Sequence, residues 1–353
     1  MSRRALAAAA LLLSACTLQR TGSTTSTGAL KSSAIGVDDH MAHMNPADLS
    51  LPAFSTSRSA ASAQQQDRPG LPPSAMSAPA RLKSSPRHAE WVKIAWEPGS
   101  ADSLMAWVVY PASKTSRTKA PVVVVVHEIF GLSSWVRGVA DQVAADGFIA
   151  VAPDFLSRVR GGPSTVELSA DTARRMITGV STAERNKAIN AAASYAMMLP
   201  SAEQRYGVIG YCWGGTTVFA HAANGGVKGY SGGVAFYGAP YMNPGKPATA
   251  TEAAVPATVM ADSLVKIKAP LMLLNGTKDA RIGAAMPAID SIMKANKKSY
   301  VGINYEGAIH GFLRAQDDPK ATRDEVEEAA NLAATKDGWP KTIAFLKKNL
   351  GAK

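Results

Sequence analysis

The chain has 353 residues, 46% hydrophobic and 18% charged, with a formal net charge of +11 and two cysteines. Two cysteines cannot build a disulfide scaffold. The positive excess forms no Lys/Arg run and no basic stripe interleaved with aromatics, which argues against nucleic acid as a partner and weakly for acidic substrates or a negative envelope surface.

The opening, MSRRALAAAALLLSAC, starts positive at Arg3 and Arg4 and continues as an apolar run from Ala5 to Leu13. That run falls far short of the roughly 20 residues a membrane-spanning helix needs, so residues 1–16 read as a signal peptide. Leu13-Ser14-Ala15-Cys16 is similar to the bacterial lipobox, whose cysteine is lipidated and becomes the new N-terminus. The expectation is an exported lipoprotein of the cell envelope, facing the periplasm and held to a membrane through Cys16. Ordinary cleavage after Ser14-Ala15 is the alternative, and Ser2-Arg3-Arg4 fits twin-arginine export only in part. Residues 17–88 are rich in Ser, Ala, Thr and Pro, with no apolar residue recurring at helical or strand spacing. Such a segment buries too little surface to offset its ordering entropy, and it reads as a disordered tether. His40 and His43 in HMAHM carry donor types suited to copper. Two histidines in a disordered tail usually ligate nothing, and neither a metal nor another cofactor is assigned.

Residues 89–353 are the length of one α/β domain. PVVVVV (121–126) is a continuous β-branched run, as in a strand buried on both faces of a parallel sheet. The loop HEIFG follows, then a helix from about Ser134 to Gly147 and the strand FIAVAP (148–153). Helices are expected near 167–178 and 182–198, the second opened by the capping box Ser181-Thr182-Ala183-Glu184. Strands YGVIG (206–210), GGVAFYG (232–238), PLMLLNG (270–276) and YVGINYE (300–306) come next, and a last amphipathic helix from about Pro340 to Leu350. Strands separated by helices mean βαβ units in a mainly parallel, doubly wound sheet with helices on both faces. Ligands of such sheets sit at the carboxyl ends of the strands.

Residues 208–215, VIGYCWGG, place Cys212 in the frame G-x-(nucleophile)-x-G on a strand-to-helix turn. A free cysteine is more often a small buried hydrophobe. After export, however, Cys212 is a lone thiol in an oxidising compartment, where its retention needs a reason. A thiol nucleophile requires a base, a group that orients the base, and oxyanion donors. His310 in GAIHGF lies just past a strand end and is the candidate base. Asp279 in NGTKDARIG is the candidate acid, although turns also favour aspartate for its own sake. The order Cys212, Asp279, His310 is that of the α/β-hydrolase fold. The backbone N–H groups of Trp213 and Ile129 are the expected oxyanion donors.

The chain from about Leu104 to Leu350 resembles the dienelactone hydrolase (carboxymethylenebutenolidase) family through APVVVVVHEIFG, VAPDFLSR, VIGYCWGG, NGTKD and AIHGFLR, in that order. The resemblance implies an α/β-hydrolase fold and a Cys-Asp-His triad that opens an unsaturated lactone through an acyl-enzyme without cofactor. It implies that Glu128 holds the resting thiol near neutral and helps deprotonate it when substrate arrives. It also implies that Arg158 and Arg314 grip a substrate carboxylate, for which a planar guanidinium fork is suited. The expected partner is therefore a small ester or lactone bearing a carboxylate. The rival readings are a broader carboxylesterase or thioesterase using the same triad, and a non-catalytic envelope lipoprotein that binds through the fold.

Overall fold

The computed structural model describes residues 67–112, 118–164, 168–243, 245–246, 249, 251–253 and 255–351. The signal peptide with Cys16, the tether as far as residue 66, and His40 and His43 lie outside the described residues. A helix, α1 (Ala78–Ser84), precedes strands β1 (Ala89–Ala95) and β2 (Ser103–Val109). Then follow β3 (Ala120–Val126), α2 (Ser134–Ala145), β4 (Ile149–Pro153), α3 (Ser157–Arg160), α4 (Ala170–Ile177) and α5 (Thr182–Met197). Next come β5 (Ala202–Tyr211), α6 (Trp213–Asn224), β6 (Tyr230–Phe236), the small pair β7 (Met242–Asn243) and β8 (Thr258–Val259), and α7 (Ala261–Val265). The chain closes with β9 (Leu271–Gly276), α8 (Ala280–Ala295), β10 (Tyr300–Tyr305), α9 (Phe312–Ala315) and α10 (Glu325–Leu350).

Among the described residues, eight strands form one sheet in the order β1-β2-β4-β3-β5-β6-β9-β10. The two pairings that involve β2 are antiparallel; the other pairings are parallel. This is the α/β-hydrolase arrangement expected from the alternation of strands and helices. The valine run explains why β3 is central. All seven of its residues are buried, with Val122, Val124 and Val126 facing one core layer and Val123 and Val125 the other. Each fully buried valine contributes about 1.5–3 kcal/mol relative to exposure. The first layer packs under α5, α6 and α8, through residues such as Ile189, Phe219 and Ile289. The second packs under α2 and α10, through Val136, Val139, Trp339 and Leu346.

Two expectations need correction, and one pair of strands was missed. The segment 67–88 is not part of a disordered tether: α1 buries Ala78 and Arg81. What fixes it is hydrogen bonding rather than an apolar stripe, including Trp135 Nε1 donating to the Pro73 carbonyl at 3.0 Å, so hydrophobic periodicity could not reveal it. The last helix begins at Glu325, not near Pro340. Asp324 caps it by accepting from the Glu327 N–H at 2.8 Å, acidic residues fill its first turn, and Pro340 lies inside it. Finally, β1 and β2 add an antiparallel edge that the sequence reading did not separate. The capping box at Ser181 and Glu184 is present as expected.

Candidate active site

The turn between β5 and α6 holds Cys212 at φ 55, ψ −116, in the left-handed region. A non-glycine residue keeps such a conformation only when its surroundings impose it, at a cost of about 1–3 kcal/mol. The surroundings do so through the two framing glycines. A Cβ on Gly210 would overlap the Gly214 carbonyl, and one on Gly214 would lie 2.5 Å from the Val126 carbonyl oxygen. The elbow is thereby pressed against the end of β3. The Cys212 N–H donates to the Phe236 carbonyl at 3.0 Å, tying the elbow to β6 as well. The thiol is 6% exposed.

Asp279 caps α8, its Oδ1 accepting from the Ile282 N–H at 3.3 Å. Its Oδ2 lies 2.6 Å from His310 Nδ1. The loops carrying these two residues are laced together: Lys278 N donates to the Ala308 carbonyl at 3.0 Å, and Gly307 N to Thr277 Oγ1 at 2.9 Å. Burial pushes the Asp279 carboxyl up, but the His310 charge and hydrogen bond, Arg281 and the Ile282 N–H outweigh it, leaving the group below the usual carboxylate range. Burial pushes His310 down, yet the charges of Cys212 and Asp279 and their hydrogen bonding dominate and push it up to about 10. Cys212 is the neighbour of His310 on the side away from Asp279, and its negative charge favours the protonated imidazole, so the histidine can hold the proton that a thiolate nucleophile gives up. Cys212, Asp279 and His310 therefore meet.

Glu128, 3% exposed, lies with its Oε2 3.2 Å from Arg314 Nε. The pair is close enough for charge attraction but not aligned as a hydrogen bond, since Arg314 Nε has no hydrogen-bond partner. The described ion pair of the glutamate is thus with the arginine rather than a contact with the thiol. The Arg314 guanidinium also lies over the Phe130 ring, 5.3 Å from its centroid. Trp213, as the first residue of α6, has an N–H with no intrahelical acceptor. The Trp213 side chain packs against His127, the rings 5.9 Å apart and stacked. His127 Nδ1 lies 2.6 Å from the Glu128 carbonyl oxygen, and its Nε2 accepts from the Phe155 N–H at 3.2 Å. Burial holds His127 below its ordinary pKa, so a neutral ring fixes the loop that carries Glu128 and Ile129.

Arg158 stands apart. It pairs with Asp102 and, at 3.4 Å, with Glu184, and it stacks on Trp96 with its guanidinium carbon 3.9 Å from the ring centroid. None of its described contacts is with Glu128, Cys212, Asp279 or His310. The sequence reading missed Tyr237, whose ring lies 5.0 Å from that of His310. Tyr237 has φ 40, and its hydroxyl is buried without a partner. Burial and the Glu128 charge hold the hydroxyls of Tyr211 and Tyr237 well above their ordinary pKa. The signal available in the sequence was position alone, at the carboxyl end of a strand. Among the described residues, no group of three or more His, Cys, Asp or Glu is placed to hold a metal ion.

The family model for the dienelactone hydrolase family matches residues 106–350, which span the elbow, the acid and the histidine. The chain belongs to that family. It is accordingly a carboxylic ester hydrolase. A Synechocystis protein named "Putative carboxymethylenebutenolidase" is 30% identical over 249 residues, covering 68% of this chain and 91% of that one. The Pseudomonas putida "Carboxymethylenebutenolidase" is 30% identical over 127 residues, 35% of this chain and 52% of that one. A crystal structure of a "Putative Dienelactone Hydrolase" from Klebsiella pneumoniae superposes with a TM-score of 0.57, covering 74% of this chain and 99% of that one at 24% identity. That last likeness bears on the fold.

Proposed function

We propose that the protein opens a lactone or cleaves an ester carrying a carboxylate, by acyl transfer through a thioester on Cys212. The observation that carries this reading is a buried thiol on a left-handed elbow beside a histidine whose far nitrogen is bound by an aspartate. In the first half-reaction His310 Nε2 takes the Cys212 proton and the thiolate attacks the carbonyl carbon. The carbonyl electron pair moves to oxygen, which accepts from the N–H groups of Trp213 and Ile129; removing one such donor typically costs about 3 kcal/mol. Collapse breaks the C–O bond, and the leaving alkoxide takes the proton from His310. In the second half-reaction His310 takes a proton from water, hydroxide attacks the thioester, and the C–S bond breaks. The departing sulfur ends as the thiol, taking back the proton from His310.

Glu128 and Arg314 give this site a means of responding to the substrate's own charge. A substrate carboxylate would compete with Glu128 for the Arg314 guanidinium, and the released glutamate could then assist deprotonation of the thiol. Arg158 is already held by two carboxylates and contributes less to this reading than Arg314. The pairing of Arg314 with a buried acid favours anionic substrates over the broad esterase or thioesterase alternative. Cys16 would be lipidated, which makes the hydrolase an envelope protein facing the periplasm; the lipobox-like sequence supports this. Turnover of matched neutral and anionic p-nitrophenyl esters, with wild type beside Cys212→Ala, tests the whole. Expected are a faster reaction of the anionic ester and no turnover by the variant; near-wild-type rates in the variant would overturn the proposal.

A further inference from the structure

Residues 67–84 lie outside the family match, which begins at residue 106, yet they brace the stretch that carries Arg314. Three anchors fall within four residues of one another. The Ala75 N–H donates to the Arg314 carbonyl at 3.0 Å. The Gln316 side-chain amide donates to the Pro72 carbonyl at 2.9 Å. The Arg68 guanidinium holds Asp317 through two bonds of 3.0 and 2.5 Å. Gln316 sits at φ 47, a backbone state that persists only where the surroundings over-determine it. The Gln316 backbone N–H donates to the Phe312 carbonyl at 2.8 Å, while its side chain is the part that Pro72 holds.

The segment is fastened in turn to α2. Trp135 Nε1 donates to the Pro73 carbonyl at 3.0 Å, and a Cβ on Gly138 would lie 2.7 Å from Pro73 Cγ, so this contact requires glycine. Arg81, 6% exposed, reaches Gln142 Oε1 at 2.8 Å and the Arg68 and Leu71 carbonyls at 3.2 and 3.0 Å. By contrast α9 has four residues, too few to be stable by its own hydrogen bonds. The Arg314 backbone is thus held on one side by the loop of His310 and on the other by this segment.

We infer that residues 67–84 are a positioning strap that sets the Arg314 guanidinium in the site and thereby tunes recognition of carboxylate-bearing substrates, an inference resting on the role of Arg314 proposed above. The strap is a positioning element and touches no substrate. A misplacement on the order of 1 Å in a binding group can cost up to a hundredfold, and loss of one of three anchors is expected to cost about fivefold on that scale.

The test uses the full chain. Arg68→Met, Gln316→Ala and the double variant are assayed for kcat and KM on neutral and anionic esters of equal size, beside Arg314→Met. Each single strap variant should raise KM for the anionic ester about fivefold and the double variant about twentyfold, while KM for the neutral ester and both kcat values stay at wild type. The exchange Arg68→Asp with Asp317→Arg should restore the lost affinity. An unchanged anionic KM in the double variant overturns the strap, and so does an equal rise for both esters, which would mark a purely structural role. If Arg314→Met erases the anionic preference while the strap variants keep it, the strap alone is refuted. If wild type shows no anionic preference, or Arg314→Met leaves it intact, the reading of Arg314 falls and the strap's role falls with it.

Discussion

Asp279→Asn is the most informative single substitution because Asp279 serves two partners with two different oxygens. Oδ1 accepts from the Ile282 N–H at the start of α8, and Oδ2 binds His310 Nδ1 at 2.6 Å. Asparagine has one acceptor and one donor in those two places. With its oxygen on Ile282 the cap survives, since asparagine caps as well as aspartate. Its NH₂ then faces Nδ1, which must become the acceptor, and the proton moves to Nε2, where the base has to be free. In serine proteases the equivalent loss is about 10⁴-fold in kcat, and a fall of about 10³–10⁴ is expected here, with the cap kept and the melting temperature lowered only through the lost charge attraction to His310. With the amide flipped, activity is partly kept but two donors oppose each other at the cap. That costs about 1 kcal/mol, or about 2 °C of melting temperature for a domain of this size. Asp279→Ala should lose both activity and cap. Steady-state kinetics paired with thermal melts separate the outcomes. An Asp279→Asn protein with wild-type kcat and wild-type melting temperature would refute the two-partner geometry.

Other outcomes follow from the same structure. The raised His310 contributes stability that is fully present below its ordinary value of about 6.5 and is lost as pH rises to about 10. Melts across that window should therefore show a decline in wild type that His310→Gln lacks. The lowered Asp279 acts oppositely: its contribution is present above the usual value of about 3.9 and lost as pH falls through its depressed folded value. Acid melts of Asp279→Asn should lack that component; an acid limb identical to wild type would contradict it. The proposed lipidation of Cys16 rests on the sequence alone: if it holds, Cys16→Ala moves the protein from the membrane to the soluble periplasmic fraction or leaves an unprocessed precursor, because several acyl chains anchor stably where one does not. Wild type found wholly soluble on cell fractionation would remove the anchor.

The sheet was legible because its central strands are buried on both faces and therefore spell themselves as apolar runs, as in PVVVVV and PLMLLNG. The elbow was legible for a steric reason: only glycine fits where Gly210 and Gly214 press on backbone carbonyls. What remained hidden depends on contacts between residues distant in sequence. Nothing in DRPGLPPSA announces that Arg68 meets Asp317 or that Pro72 meets Gln316, since polar and backbone anchors carry no periodicity. Likewise PDFLSR places an arginine after β4 but cannot show that Asp102 and Glu184 already bind it. Pro340 misled because proline suits the first turn of a helix and is rare inside one, whereas α10 tolerates it within, with Trp339 buried beside it and bonded to Asp146 at 3.0 Å.

The central claim is that Cys212 carries the acyl group, and acid quenching during turnover of p-nitrophenyl acetate, followed by peptide mass mapping, tests it most directly. An acetyl mass on the peptide containing Cys212, lost in Cys212→Ala together with turnover, is the expected result. An adduct on any other residue, or a Cys212→Ala protein that still hydrolyses the ester at near the wild-type rate, would contradict it.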